Sequence, residues 1–149
     1  MNLYGQISDE KAVAGLLYGM NPKSVITYVA DGEVAYGKAL FQKDGTVKNV
    51  SAEGYKFAGV ALFHQDSHSN YRGCYGDEDA VACINDGNIW VVLDEDVTPS
   101  DGANAYVIPS TGVFTTEAND GEDEPTAYIL AGKFKSGAEN GLALVELSK

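Results

Sequence analysis

The chain has 149 residues, 44% of them hydrophobic, so it is long enough to bury one sizeable core and too short for two. Its 17 glycines against 4 prolines favour short strands and tight turns over a helical bundle. Ten Lys and Arg residues against 22 Asp and Glu leave a net charge of −12, and Arg72 is the single arginine. Nucleic acid and anionic membranes are therefore not expected as partners, because both require clustered cations.

The N-terminal region and the cysteines point to a soluble protein that is made and used without secretion. The first apolar stretch has no basic segment before it and is interrupted by Gly15 and Gly19, so neither a signal peptide nor a membrane span is predicted. Cys74 and Cys83 form no disulfide framework and no C-x-x-C zinc pair, which favours a reducing compartment. Residues 1–20 are predicted to be an arm or a short helix capped by Ser8 or Asp9, and 21–149 one β domain.

Asp-Gly pairs punctuate the rest of the chain. Such pairs suit type I′ turns, because glycine adopts positive φ without steric cost. The pairs are Asp31-Gly32, Asp44-Gly45, Asp86-Gly87, Asp101-Gly102 and Asp120-Gly121. The strands predicted around them are Ser24–Ala30, then 33–41, 47–50, 57–63, 80–84, 89–93, 105–108, 113–116, 126–135 and 142–147. Short strands at this spacing predict an all-β sandwich or barrel, with an acidic surface loop at 118–124.

Two of these strands are apolar almost without interruption. Residues 89–93 and 142–147 lack the alternation of a strand with one solvated face, which predicts burial on both sides or a core face plus a subunit contact. Trp90 could face a partner from such a strand, although a place inside a core layer is the preferred interpretation. Gly87 is predicted to take positive φ in a hairpin before Trp90.

The polar side chains form no recognisable catalytic set. His64 and His68 have H-x-x-x-H spacing but lie in a polar loop without a third ligand. The acidic groups 77–79, 94–96 and 120–124 match neither a calcium loop nor a paired-carboxylate hydrolase. No G-x-S-x-G motif or phosphate-binding glycine loop is present. We therefore expect no enzyme, metal or cofactor, and a function in binding or assembly.

The order of the glycine-marked segments carries a resemblance that covers nearly the whole chain. The segments are Ala14-Gly15-Leu16-Leu17, Ser24-Val25-Ile26-Thr27-Tyr28, Val34-Ala35-Tyr36-Gly37-Lys38-Ala39-Leu40, Phe57-Ala58-Gly59-Val60-Ala61, Gly87-Asn88-Ile89-Trp90-Val91, Asp101-Gly102-Ala103-Asn104-Ala105-Tyr106-Val107 with Thr111-Gly112-Val113-Phe114-Thr115, and Ala131-Gly132-Lys133-Phe134-Lys135-Ser136-Gly137-Ala138 with the run 141–147. In this order they resemble the cement, or head-decoration, proteins of tailed bacteriophages. Ala103-Asn104 departs from that family's usual Asp-Pro, and 64–79 and 120–124 have no counterpart in it.

The resemblance implies a β-sandwich of jelly-roll type that is made in the host cytoplasm and becomes part of the virion. It implies homodimers or homotrimers on the outer face of the capsid, where they bridge neighbouring major capsid subunits and hold the shell against DNA pressure. Candidate residues for contact with the shell or a second subunit are Tyr4, Leu16 and Leu17 in the N-terminal stretch, Tyr71 and Tyr75 in a polar loop, and Trp90.

Two other functions remain open at this stage. A virion-exposed module that binds carbohydrate or a receptor could use Tyr71 or Tyr75, because jelly rolls host such sites. A small hydrolase could use paired carboxylates such as those around Asp94. Cement protein is preferred over both on the ordered resemblance.

Overall fold

The computed structural model describes residues 14–18, 24–63, 74–123 and 127–147. These residues form β-strands and turns without a helix, which confirms the all-β prediction. In chain order the strands are β1 (Leu17–Tyr18), β2 (Ser24–Ala30), β3 (Val34–Ala35), β4 (Ala39–Lys43), β5 (Thr46–Lys48), β6 (Lys56–Ala61), β7 (Cys74–Tyr75), β8 (Ala80–Val92), β9 (Asn104–Val107), β10 (Phe114–Thr115), β11 (Ile129–Phe134) and β12 (Leu142–Leu147).

Ten of the described strands form one sheet that closes on itself at one side. Its order is β10-β9-β11-β12-β8-β2-β5-β4-β6, and β6 pairs back onto β8. We call β2, β5, β4, β6 and the first half of β8 the closed ring, and β10, β9, β11, β12 and the second half of β8 the outer sheet. β1 pairs with β8, whereas β3 and β7 form a separate two-stranded sheet. The jelly-roll sandwich stays a prediction.

Two hydrophobic cores lie on either side of β4 and β6. One core fills the space between ring and outer sheet, where Phe41 and Val60 meet Ile89 and Phe134. The other contains Leu40 and Ala61 from the same two strands, and extends to Val47, Tyr75 and Val81. Consecutive residues of β4 and β6 thus enter different cores, which explains why these strands carry apolar runs instead of alternating patterns.

Glycines permit the two closest backbone approaches in the sheet. A Cβ built on Gly59 in β6 would overlap the carbonyl oxygen of Ile84 in β8, at the pairing that closes the ring. A Cβ on Gly132 in β11 would overlap the carbonyl oxygen of Glu146 in β12. Both strands carry a register shift beside the glycine, so bends and close contacts occur together.

The Asp-Gly pairs do not all behave as predicted. Asp44-Gly45 joins β4 to β5 with φ of 52° and 87°, which fits the expected type I′ turn. The hairpin predicted at Asp86-Gly87 was wrong, because this pair lies inside the continuous 13-residue strand β8. Gly87 does have positive φ, 139°, but at the point where β8 stops pairing with β2 and begins pairing with β12.

Part of the predicted N-terminal arm is built into the sheet. Among residues 14–18, the Gly15 amide donates to the Trp90 carbonyl and its own carbonyl accepts from Phe63, at 2.8 Å each. The Trp90 amide donates to the Leu16 carbonyl at 3.1 Å. These residues form a turn and β1 where a short helix was one of the expectations, and Ser8 and Asp9 lie outside the described residues.

Replacing Gly59 by alanine tests the ring closure. We expect Gly59→Ala to lower the free energy of unfolding by about 3 kcal/mol or more, because the new methyl group meets backbone that cannot move aside. Gly102→Ala is the matched control: Gly102 also has positive φ, 92°, but nothing lies within 4 Å of its Cβ position. Gly102→Ala should lower the free energy of unfolding by only about 1–2 kcal/mol, because its side chain is placed on a left-handed backbone but meets no other atom. Equal urea-unfolding midpoints for the two variants would contradict the role assigned to Gly59.

Candidate functional site: two apolar assembly surfaces

Tyr75 is a core residue, which corrects its prediction as an exposed contact. Its side chain is 0% exposed. The phenol donates a hydrogen bond to the Leu62 carbonyl at 2.7 Å and accepts one from the Ala82 amide at 3.3 Å, and the ring packs edge-on against Tyr36. Burial raises the pKa of Tyr75 to about 12. Tyr75 therefore cannot line a glycan site on this surface either.

Trp90 lies on the outward face of the outer sheet, so the preferred interpretation of a core tryptophan was wrong. Its neighbours Ile89 and Val91 are fully buried and point to the opposite face, as the period of a strand requires. Trp90 is half-buried and stands directly across from Leu144 of β12.

Trp90 belongs to a compact apolar patch. Val92 pairs with Leu142 in the same way and on the same face, and Leu144 is 8% exposed. We call Trp90, Val92, Leu142 and Leu144 the tryptophan patch. A row of polar residues, Asn88 and Glu146 with Lys133, borders it on one side. The expectation that 142–147 carries a core face and a second apolar face thus has a structural counterpart, since Ala143, Val145 and Leu147 enter the core.

The other predicted contact residues are only partly described. Leu16 is half-buried beside β8, and the backbone of Leu17 pairs with Ile89. Tyr4 and Tyr71 lie outside the described residues, as do His64 and His68.

A second apolar surface was missed by the sequence analysis. β2 exposes Val25, Ile26 and Val29 to solvent by 44%, 42% and 45%. We call these three side chains with Thr27 the β2 strip. The sequence signal was present as the uncharged run Ser24–Ala30, but a strand buried on both sides has the same composition. Only the position of β2 at the side of the ring away from the outer sheet leaves it uncovered.

A cleft of about 370 Å³ lies beside the acidic loop. It is lined by Ser51, Pro109, Ser110, Asp120 and Tyr128. Residues 117–123 are exposed, as predicted for that loop. Partial burial, with the nearby carboxylates of Asp120, Asp94 and Glu122 as smaller causes, raises the pKa of the Tyr128 phenol. The cleft thus favours a neutral phenol beside acidic groups.

The two cysteines are structural. Cys74 and Cys83 are buried thiols, the Cys74 thiol donates to the Glu33 carboxylate at 3.5 Å, and burial raises the pKa of Cys83 to about 12. Within the described ranges no three His, Cys, Asp or Glu side chains gather into a possible metal site. In the same part of the chain no helix is long and apolar enough to cross a membrane. An all-β scaffold with buried thiols and an exposed apolar strip on β2 is suited to binding or assembly.

Comparison with known proteins identifies the family. Residues 4–148 match the family model described as "Structural cement protein (E217 gp24/Pam3 gp6)". The chain belongs to this family of phage structural proteins, which is not a class of enzymes, and the predicted resemblance is confirmed.

The fold recurs in a solved phage capsid. A chain from the structure titled "The capsid of Myoviridae Phage XM1" superposes with a TM-score of 0.75 at 20% sequence identity, covering 93% of this chain and 91% of that one. A search of curated proteins finds no match. At this identity the similarity establishes the shared fold, while the family match establishes a structural protein associated with phage capsids.

The buried thiol and phenol predict a loss of stability in alkaline solution. Folding raises the pKa of Cys83 from 9.0 and that of Tyr75 from 10.0, each to about 12. Below pH 9 both groups are protonated in both states, so their contribution is complete. Above pH 9 the unfolded chain releases its protons first, and the free energy of unfolding falls as the pH approaches 12.

We expect the urea midpoint to decrease between about pH 9 and about pH 12, and to decrease less steeply in Cys83→Ala. A midpoint that stays constant over this interval would contradict the burial of these groups. If the urea midpoint of Cys83→Ala decreased with pH as steeply as that of the wild type, ionisation of Cys83 would not contribute to the loss of stability.

Proposed function

We propose that this protein is a homo-oligomeric cement protein that sits on the outer face of the phage head, bridges neighbouring major capsid subunits and stabilises the shell against the pressure of packaged DNA. The family match over residues 4–148 is the observation that carries the proposal. The exposed β2 strip supports it, because a protein that only needed to fold would gain by covering these apolar side chains.

Multivalency explains how modest contacts would hold such a protein in place. Each subunit of an oligomer needs to bind its capsid neighbour only weakly, because the second and third contacts form at a high effective concentration. The gain in avidity is on the order of 10² or more when the geometry fits. The assembled shell is stabilised because the oligomer binds to the assembled lattice more tightly than it binds to free capsid subunits.

The tryptophan patch is the better surface for contact between identical subunits. Trp90 and Leu144 form a cross-strand pair beside a second apolar pair, and no charged side chain stands within this set. A like-with-like contact is favourable here because the patch carries none of the net charge of −12 that otherwise makes two copies repel.

Light scattering tests self-association. We expect the purified protein to have a mass that is a multiple of 15.8 kDa at micromolar concentration. Trp90→Lys should shift it to the monomer, because burying an unpaired ammonium group in the contact is unfavourable. Val50→Lys is the matched control, since Val50 is 39% exposed outside the patch. A monomeric wild-type protein would contradict self-association in solution.

Binding to phage heads tests the function itself. Added protein should occupy heads that were assembled without it, prefer expanded mature heads over unexpanded ones, and raise the temperature at which DNA is lost. The acidic composition predicts basic or amide-rich patches on the shell, so occupancy should decline as salt is raised. Equal binding to free capsid subunits and mature heads, without any gain in heat resistance, would contradict the proposal.

The N-terminal stretch requires a deletion that respects the fold. Removing residues 1–17 would delete Gly15 and half of β1, whose backbone groups bind β8 and Phe63. A deletion of residues 1–12 leaves these contacts in place. If the stretch is a docking arm, this variant should keep the wild-type melting temperature and lose occupancy on heads. Unchanged occupancy would assign docking to the folded domain alone.

A further inference from the structure

The exposure of β2 has an unusual geometry. Val25 and Ile26 are consecutive residues of one strand, so their side chains point to opposite faces of the sheet. Both are nevertheless more than two-fifths exposed. A flat partner resting on one face would cover Val25, Thr27 and Val29 but leave Ile26 in water. Only a partner that lies along the edge of the strand would contact both faces at once.

β2 has such an edge. On one side it pairs with β8 over its whole length, and on the other it pairs with β5 only at Val29 and Ala30. The Val29 amide donates to the Gly45 carbonyl on the β5 side, whereas the Ala30 amide donates to Asp79 on the opposite side. Because backbone direction alternates along a strand, the amides and carbonyls of Val25 and Thr27 face the β5 side. No described strand pairs with that side before Val29.

Carboxylates stand near both ends of this open edge. Asp44 lies in the exposed turn whose Gly45 carbonyl accepts from Val29, and exposed Glu78 donates its amide to the Ala30 carbonyl. Asp86 is the β8 residue opposite Ser24 at the other end. Lys48 on the neighbouring strand β5 is engaged by Asp31 at 3.7 Å and by the Tyr55 ring, and exposed Lys43 precedes Asp44 at the turn. Among the described residues around this edge, the carboxylates of Asp44, Glu78 and Asp86 outnumber the exposed cation of Lys43, and the centre of the edge is apolar.

We propose that an extended segment of the major capsid protein adds a strand along the open edge of β2 at Ser24–Tyr28, with apolar side chains covering Val25 and Ile26 and with Lys or Arg near its ends. This inference rests on the proposed function and names the docking surface. Main-chain hydrogen bonds to Val25 and Thr27 supply affinity, and the apolar and charged positions supply selectivity. About four to five residues would span the edge at roughly 3.4 Å each.

A second copy of this chain fits the edge less well. Pairing two β2 edges about a two-fold axis in antiparallel fashion brings the Asp86 end of one copy toward the Asp44 end of the other. Carboxylates then face carboxylates in a protein whose net charge is already −12. A capsid segment with basic ends avoids this repulsion.

Two substitutions probe the edge without entering the core. Thr27→Pro removes the amide that points to the open edge and leaves the pairing with β8 intact, which is the position where an edge strand tolerates proline. Val25→Lys places a charge where the apolar contact is proposed. Val50→Lys is the matched control, because it makes the same change at a valine of similar exposure, 39%, elsewhere on the surface. Melting temperatures check that all three variants are folded.

The measurement is the concentration of protein needed to half-occupy mature heads assembled without it. We expect Thr27→Pro and Val25→Lys to raise this concentration at least about tenfold and Val50→Lys to leave it unchanged. If both edge variants bind as the wild type does, or if only Val25→Lys is weakened, strand addition is overturned. A shift of Val25→Lys or Thr27→Pro from oligomer to monomer by light scattering would also overturn it, in favour of self-association. Failure of the wild-type protein to bind heads would instead contradict the proposed function.

Discussion

The structure depends on one strand that serves two sheets. The 13 residues of β8 pair with β2 and β6 in the first half and with β12 and β1 in the second, and the change of partner falls between Asp86 and Gly87. Because β8 is continuous, the ring that contains its first half and the outer sheet that contains its second half lie next to each other. The main core then forms between them, and Ile84 and Ile89 contribute to it from the two halves of the same strand.

Within the closed ring, the first residues of β2 are left without a partner strand on the β5 side among the described residues. β4 and β6 are covered on both faces by the two cores, and their backbones are paired on both sides. β2 occupies the side of the ring away from the outer sheet, where no second layer covers Val25 or Val29. The tryptophan patch lies on the face of the outer sheet opposite the main core, where Trp90, Val92 and Leu142 are half-buried and Leu144 is 8% exposed. The exposure of β2 therefore follows from the architecture, in a chain whose net charge is −12.

The assignment of candidate contact residues shows where sequence reasoning succeeds and where it fails. Trp90 was a candidate for which the sequence favoured the core, whereas the structure places it half-buried on the face opposite the core. The sequence could not separate the two positions, because a half-covered face and a covered face have the same apolar neighbours. Tyr75 was expected in an exposed polar loop and is instead fully buried, with its phenol bonded to Leu62. Neighbouring residues in the sequence cannot reveal this, because the atoms that bury Tyr75 come from β6 and β8 and from Tyr36. The β2 strip was missed because an uncharged strand indicates burial by default.

By itself the sequence determined the all-β class, most strand positions, the Asp44-Gly45 turn and the family, because these depend on local backbone preference and on the order of short motifs. Tertiary structure alone decided that 80–84 and 89–93 are one strand, that Gly59 closes a ring, and which apolar side chains remain in water. The reason is physical: strand pairing joins residues far apart in the chain, and burial is a property of what packs above a side chain. Neither is encoded in the few residues on either side of Val25, Tyr75 or Trp90.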